Sequence, residues 1–337
     1  MSRAKSGSVT YRPDLGVHVN EFIEDDAAGM GFIGLQVFPI FPTAKKESTY
    51  LVVPKEAMLS ISNVDRAPRG AYPRDDWEYE RGMYSTSERA FEQPLDDSER
   101  EMFGQEVSGQ DLAEQVSVKR CMLKVARAQE KRIADKLFNA TNFTNHDVSV
   151  CWDVAASAKP IDDVKDGIAA FRKQCGMLPN ALVISYTTYL ALQLSDQIVD
   201  QLKYTFPGLD VSNLNVQQMA RVLGVQRLLV GGSVYNSAGK GQDATISDLW
   251  NDEYAALVRI NDGPDITSPC VGRTFLWTED TPDNQIVEQY REEQIRSEIF
   301  RVRQWVGEEL IQSKNASGTV VSNIAAACVY LFSNIDT

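Results

Sequence analysis

Apolar positions recur at helical spacing between Ser108 and Asn139, at Leu112, Val116, Leu123, Ala126, Ile133 and Leu137, with Glu114, Lys119, Arg127, Glu130, Lys131 and Asp135 between them. The stretch contains no Pro and, after Gly109, no Gly, so nothing in it breaks a helix. Ser108 is placed to cap it, and Asp111 to meet the exposed first-turn N–H groups. At a rise of about 1.5 Å per residue the helix would be a rod on the order of 45 Å long, the span of a whole mid-sized domain. Its apolar stripe lapses at Lys119 and Glu130, which argues against a sustained heptad and in favour of a spine from which separate sheets hang.

Ahead of the spine the pattern is extended. Residues 1–20 mix Arg3, Lys5 and Arg12 with Ser, Gly and Pro and read as an arm, not a core. Residues 21–41 bring Phe22, Ile23, Phe32, Ile33, Val37, Phe38, Ile40 and Phe41, and Pro39 and Pro42 keep the segment from continuing as a helix. The run Thr49, Tyr50, Leu51, Val52, Val53 is β-branched and aromatic, as a strand should be. A second strand over residues 77–84 puts Trp77, Tyr79 and Met83 on one face. Between the two, residues 65–76 carry Arg66, Arg69, Arg74, Asp75 and Asp76 with Pro68, Gly70 and Pro73, which reads as the tip of a long two-stranded excursion. A lone hairpin of that length is marginal in water, so it is expected to lie on another surface, that of a neighbouring subunit.

Beyond the spine, Pro160 opens a helix, Asp162 and Asp163 suit its positive end, Ile161, Val164, Ile168 and Phe171 form its buried face and Gly176 ends it. Strands over 181–184 and 225–230 then alternate with helices around 187–194, 197–203 and 216–223, which is the pattern of a compact α/β unit. The Gly-, Ser- and Asn-rich residues 231–247 read as a flexible loop. Residues 254–260 and 274–277 read as strands. Over 286–312 the charges leave the period open between helix and strand. The apolar run 323–332 reads as a strand returning to a sheet near the spine.

Composition narrows the function. A chain of 337 residues, 43% apolar and 24% charged, is expected to build at least two cores. A net charge of -13 opposes a phosphate-gripping surface. Five scattered cysteines with no C-x-x-C pair fit neither a disulfide framework nor a zinc site and suggest a reducing compartment, and with no apolar run of membrane-spanning length and no leader pattern the expectation is a cytosolic protein. Gly29, Gly31 and Gly34 satisfy G-x-G-x-x-G but sit outside the strand-to-helix context that fingerprint needs. Gly239 and Lys240 resemble a phosphate loop without its first Gly or its Ser/Thr. His18 and His146 are the only histidines, too few for a histidine-built metal site or a serine triad. The acid pairs Asp75–Asp76, Asp96–Asp97, Asp162–Asp163, Glu292–Glu293 and Glu308–Glu309 are adjacent in sequence and diverge in direction in helix or strand alike, so they read as solvated surface. No catalytic residue, cofactor or metal is expected.

The succession of features resembles the major capsid proteins of tailed bacteriophages, which have the Hong Kong phage or Johnson fold. It consists of V-F-P-I-F-P at residues 37–42, Tyr50-Leu51-Val52-Val53, the Arg-, Pro- and Asp-rich excursion, the long helix, L-P-N-A-L-V-I-S at 178–185 and L-G-V-Q-R-L-L-V-G at 223–231. The resemblance implies an α+β chain with an N-terminal arm over 1–44, an extended β-hairpin loop over 45–107, a peripheral domain over 108–158 and 278–337 that holds the spine helix, and an α/β axial domain over 159–277. It implies pentamers and hexamers building an icosahedral shell around double-stranded DNA, in a virion assembled in the bacterial host cytoplasm, with scaffolding, portal and decoration proteins as partners and no membrane. About twenty residues precede Glu21, fewer than the scaffolding segment of many relatives, so a separate scaffolding protein, or none, is expected. Arg66, Arg69, Arg74, Asp75, Asp76 and Trp77 at the loop tip, and Arg3, Lys5 and Arg12 in the arm, are the expected inter-subunit contacts, the arm cations pairing with acidic neighbours in preference to DNA. The alternatives are an encapsulin-like protein compartment of the same fold and, from another class, a cytosolic oligomeric enzyme with a carboxylate site.

Overall fold

The computed structural model describes residues 10–12, 15, 29–61, 64–66, 68–74, 79–106, 110–205, 215–239, 241–314 and 320–336. The spine helix, α4, runs Gln110–Leu137, about 42 Å at the α-helical rise, and the expected Ser108 cap lies outside the described residues. Its buried stripe shares Ile133 and Leu137 with the expected one and otherwise lies on different residues. Ala113, Glu114, Ser117, Val118, Cys121, Met122, Val125, Gln129, Glu130, Ile133, Ala134 and Leu137 face inward, at an unbroken three-and-four spacing. The stripe hides four polar members, so Glu130, read as a lapse, is in fact part of it.

Two sheets flank the spine. The first has the order β1-β13-β14-β12-β2, with β5 also paired to β14: β1 is Thr10–Tyr11, β2 Ile40–Thr43, β5 Ser87–Asp96, β12 Gly272–Trp277, β13 Ile286–Glu292 and β14 Ser297–Leu310. The undecided stretch 286–312 is therefore a β-hairpin. Along β14 the even positions Phe300, Val302, Gln304, Val306, Glu308 and Leu310 are buried and Arg301, Arg303 and Trp305 are less so, a period of two that the inward Gln304 and Glu308 disguise. Phe300 and Val302 meet Val118, Cys121 and Met122 of the spine in one core. Gln304 and Glu308 find their partners on the same helix, in Gln129 at 3.5 Å and Arg132 at 2.7 and 3.1 Å.

The second sheet, β6-β17-β11-β7-β8, is the α/β unit. Its strands are Asn145–Asp147, Val329–Ser333, Ala255–Val258, Ala181–Ser185 and Arg227–Gly231 in that spatial order. Strands β7 and β11 are buried at every position, because both faces are covered. Leu182, Ile184 and Leu257 pack under helices α5 (Pro160–Cys175) and α8 (Val216–Leu223), while Ala181, Val183, Ala256 and Val258 pack with Leu137, Phe138 and Trp250. Gly176 and Gly224 end these helices in the left-handed region, as expected.

Sheet membership departs from the expected partition at two places. Strand β17, expected in the sheet beside the spine, pairs with β11 of the α/β sheet. Strand β12, expected to close the α/β unit, pairs antiparallel with β14 and parallel with β2. Val329–Ser333 alternates Val329 and Leu331 to one core and Phe332 to the other, which only a doubly covered sheet can use. The supposed flexible loop 231–247 also contains a small hairpin, β9 (Val234–Asn236) with β10 (Ile246–Asp248).

Candidate assembly surface

The excursion begins as an antiparallel pair, β3 (Glu47–Val52) and β4 (Glu80–Ser85), with Tyr50 opposite Gly82 and Thr49 opposite Met83. Its two faces have different fates. The inner face carries Tyr50, Val52 and Tyr84, all buried. The ring of Tyr84 stacks on Phe275 of β12 at 4.3 Å, and Tyr50 on the same ring at 5.7 Å. Gly82 permits this, since a Cβ there would sit 2.2 Å from the Tyr50 ring. The root of the excursion is therefore anchored on its own body, which corrects the expectation that the whole hairpin needs a neighbour.

The outer face and the tip remain uncovered. Leu51, Tyr79 and Met83 are about half exposed, Tyr72 is 71% exposed, Val64 84% and Ile61 101%. Beyond β3, helix α2 (Lys55–Leu59) lays Leu59 over Gly176 at the end of α5. So many exposed apolar side chains in one excursion form the kind of patch that marks an interaction surface.

Of the expected contact residues, the tip arginines lie within this exposed region. Arg66 folds back on the tip itself, donating from Nε to the Gly70 carbonyl at 2.8 Å and from Nη1 to the Tyr72 hydroxyl at 3.2 Å, with its guanidinium 4.4 Å from the Tyr72 ring centre. Arg69 takes a left-handed φ of 65°, and Arg69 and Arg74 are exposed. Asp75, Asp76 and Trp77 lie outside the described residues, as do Arg3 and Lys5. Arg12 is turned inward: its backbone N–H bonds Val287 at 3.1 Å, and its guanidinium pairs with Glu114 of the spine at 3.3 Å and bonds Gln289. Glu114 also pairs with Arg100, so a carboxylate read as helix surface holds two cations.

A second exposed apolar surface was missed. Helix α6 (Tyr186–Leu194) buries Thr188, Tyr189 and Leu192 on one side and exposes Tyr186, Leu190 and Leu194 on the other, Leu194 to 71%. Those three stand at i, i+4 and i+8 and form one stripe. The signal was in the sequence: Tyr186, Leu190 and Leu194 add a second apolar stripe to the one made by Tyr189 and Leu192, and the body of this chain covers only the latter.

The outer face of the first sheet is a charge ladder. Arg301 lies across from Glu92 on β5 and Glu288 on β13 and bonds both, at 2.6 and 3.2 Å. Arg303 reaches Glu288 at 2.7 Å and also pairs with Asp280. The acid pair Asp162–Asp163 holds structure. Asp163 accepts from Trp152 Nε1 at 2.9 Å, and burial raises its carboxyl above the ordinary range; Asp162 accepts from Gln197 at 2.9 Å. The glycine triplet is used in packing: Gly31, at φ +70°, lies so close to Gly232 that a Cβ would fall 2.7 Å from its Cα. Among the described residues no group of three or more His, Cys, Asp or Glu side chains could hold a metal ion, and no helix is long and apolar enough to cross a membrane.

No family model matches the chain. The major capsid protein of Burkholderia phage BcepMu is 25% identical over 126 residues, which are 36% of this chain and 40% of that relative, so the match spans about two fifths of the relative's length. A phage-related protein from Bordetella bronchiseptica RB50, solved by crystallography, superposes with a TM-score of 0.67 at 21% identity, covering 97% of this chain and 98% of the other. The capsid of cyanophage P-SCSP1u superposes with a TM-score of 0.52 at 11% identity over 88% of this chain and 86% of its own. The chain has the α+β fold of these phage proteins, the Johnson fold.

Proposed function

We propose that the chain is a major capsid protein: a structural subunit, not a catalyst, that assembles as hexamers and pentamers into an icosahedral shell around double-stranded DNA and so becomes part of a virion. The observation that carries this reading is the excursion. Within a fold shared with phage capsids, its root is locked to Phe275 while Leu51, Ile61, Val64, Tyr72 and Met83 face solvent. At about 25 cal/mol per Å² of apolar surface, covering them on a neighbour supplies a driving force that is repeated at every contact of a closed shell.

Scaffolding, portal and decoration proteins would be the further partners, with assembly in the host cytoplasm. The packaged DNA would be enclosed with little direct binding, because the net charge of -13 disfavours adhesion to a polyanion. Arg69 and Arg74 at the exposed tip, with Asp75, Asp76 and Trp77 beside them in sequence, are proposed to contact the adjoining subunit. Arg3 and Lys5 in the arm are assigned the same role.

The test is light scattering and electron microscopy of the purified full-length chain. Capsomers or megadalton shells are expected, and deletion of residues 60–74 should leave a folded monomer. A wild-type chain that stays monomeric at tens of micromolar would defeat the reading. Tight binding of short duplex DNA at low salt would remove the claim of a non-adhesive wall.

A further inference from the structure

Three of the five thiols gather at one place in the α/β unit, although they are far apart in sequence. Cys175 is the last residue of α5, Cys328 is the C-cap of α9 (Ile324–Ala327), and Cys270 precedes β12. All three are buried in the same apolar core. Cys175 Sγ lies 3.4 Å from Cys328 Sγ across a sequence separation of 153, and all five cysteines are free thiols.

We propose that Cys175 and Cys328 are a modification site, a dithiol that closes to a disulfide when the folded protein meets a peroxide. The geometry requires only that two sulfurs already in contact approach the roughly 2.05 Å bond length, a movement within reach of side-chain torsions. Cys175 lies at a helix end that passes into Gly176, and Cys328 lies in the turn between α9 and β17.

The two thiols also differ in a way that orders the chemistry. Cys175 is the better thiolate: its hydrogen bonds with Cys328 and the Met177 backbone and the nearby Arg259 bring it below the ordinary thiol range, while Cys328 is driven above that range by the same contact and by burial. The Cys175 sulfur attacks one peroxide oxygen. An S–O bond forms, the O–O bond breaks, and the departing hydroxide takes the Cys175 proton and leaves as water. The Cys328 sulfur then attacks the sulfenic sulfur. The S–S bond forms, the S–O bond breaks, and the second hydroxide leaves with the Cys328 proton as water. Two sulfurs are each oxidised by one electron, and the peroxide is reduced to two waters.

The bond would join the end of α5 to the turn that delivers β17, so the last strand of the α/β sheet could not leave without the helix packed over it. A cross-link across so long a segment restricts the unfolded chain strongly. In a reducing cytosol the dithiol stays open, and in an oxidising exterior it closes. The inference rests on the fold of the single chain and not on its proposed role in a shell.

The experiment treats the native full-length protein with hydrogen peroxide, quenches with acid, and alkylates in denaturant. Three alkylated cysteines instead of five are expected, together with a Cys175–Cys328 linked peptide in a non-reducing digest, and dithiothreitol should restore five. The oxidised protein should melt several degrees higher than the reduced one, a gain absent from Cys175→Ala. Five alkylated cysteines, a link that uses Cys270, or sulfinic acid at Cys175 in place of a link would overturn the proposal. The wild-type peptide map decides the matter even if a variant fails to fold.

Discussion

The Glu130 carboxylate accepts a hydrogen bond from the Trp250 indole N–H at 2.8 Å, and the same carboxylate receives the backbone N–H groups of Ile33 at 2.9 Å and Gly34 at 2.7 Å. One buried side chain thus joins the spine, the start of the one-turn helix Gly34–Val37, and the loop before β11. Burial pushes the carboxyl above the ordinary glutamate range, against the three hydrogen bonds that favour its charge.

Replacing Glu130 with Ala leaves three buried donors unpartnered, at about 1–3 kcal/mol each in isolation. A loss of roughly 3–5 kcal/mol is expected in urea unfolding of the chain, allowing for partial relaxation. Glu130→Gln can keep Oε1 toward Ile33 and Trp250 and turns its amide against the Gly34 N–H, so about 1–3 kcal/mol is expected. The pH dependence has a definite sign. A carboxyl whose folded value is raised contributes its full share below the unfolded value of about 4.3 and loses it as pH climbs through the raised folded value. The advantage of wild type over Glu130→Gln should therefore shrink as pH rises from about 4 through the raised value. An advantage that grows over that range would show that the three donors outweigh burial.

The two faces of the excursion root predict opposite phenotypes. Tyr84→Ala removes a ring stacked on Phe275, and a monomer destabilisation of about 3–5 kcal/mol is expected, as for other large-to-small core changes. Met83→Lys and Leu51→Lys lie on the exposed face, where the monomer should shift by no more than about 0.5 kcal/mol while assembly is lost. Paired measurements of unfolding and particle yield separate the two, and equal effects on both would show that the faces are not distinct.

The stripe on α6 makes the same kind of prediction elsewhere on the molecule. Leu190→Glu and Leu194→Glu replace exposed leucines and should keep the fold and its unfolding midpoint. Charged residues are depleted in interface cores, so, with this face buried between subunits, capsomer formation should fall at least tenfold by light scattering. Unchanged assembly would mean that this face looks out into solvent in the shell.

How much of this was legible in the sequence depended on whether polar residues told the truth about their surroundings. The strands β7 and β8, the caps at Gly176 and Gly224 and the existence of the spine follow from apolar runs and glycines, and each is present. The inward face of the spine was only partly placed because Glu114, Gln129 and Glu130 are buried beside partners 102, 175 and 120 positions away, which no local pattern reveals. The same substitution of Gln304 and Glu308 for apolar residues blurred β14. Among the expected contact residues, Arg12, read as an arm cation pairing with acidic residues of a neighbour, finds Glu114 and Gln289 within its own chain. The stripe on α6 is legible in the spacing of Tyr186, Leu190 and Leu194, a second apolar face beside Tyr189 and Leu192.

The charge ladder on the first sheet yields a last prediction. Arg303 has a side chain only 15% exposed and pairs with Glu288 and Asp280, themselves 13% and 32% exposed. Surface ion pairs contribute about 0–1 kcal/mol, but removing one member of a largely buried set strands the others. Arg303→Met keeps the volume and should destabilise the chain by about 2–3 kcal/mol, because Asp280 loses its cation and Glu288 is left with Arg301 alone. Adding Glu288→Gln and Asp280→Asn to Arg303→Met should recover most of that loss, since the penalty lies in uncompensated charge and not in the missing attraction. The check is a set of urea midpoints at low and high salt. For the single variant the loss should diminish at high salt, where the remaining like charges are screened. A triple variant no more stable than the single one would show that the ladder acts through its packing and not its charge.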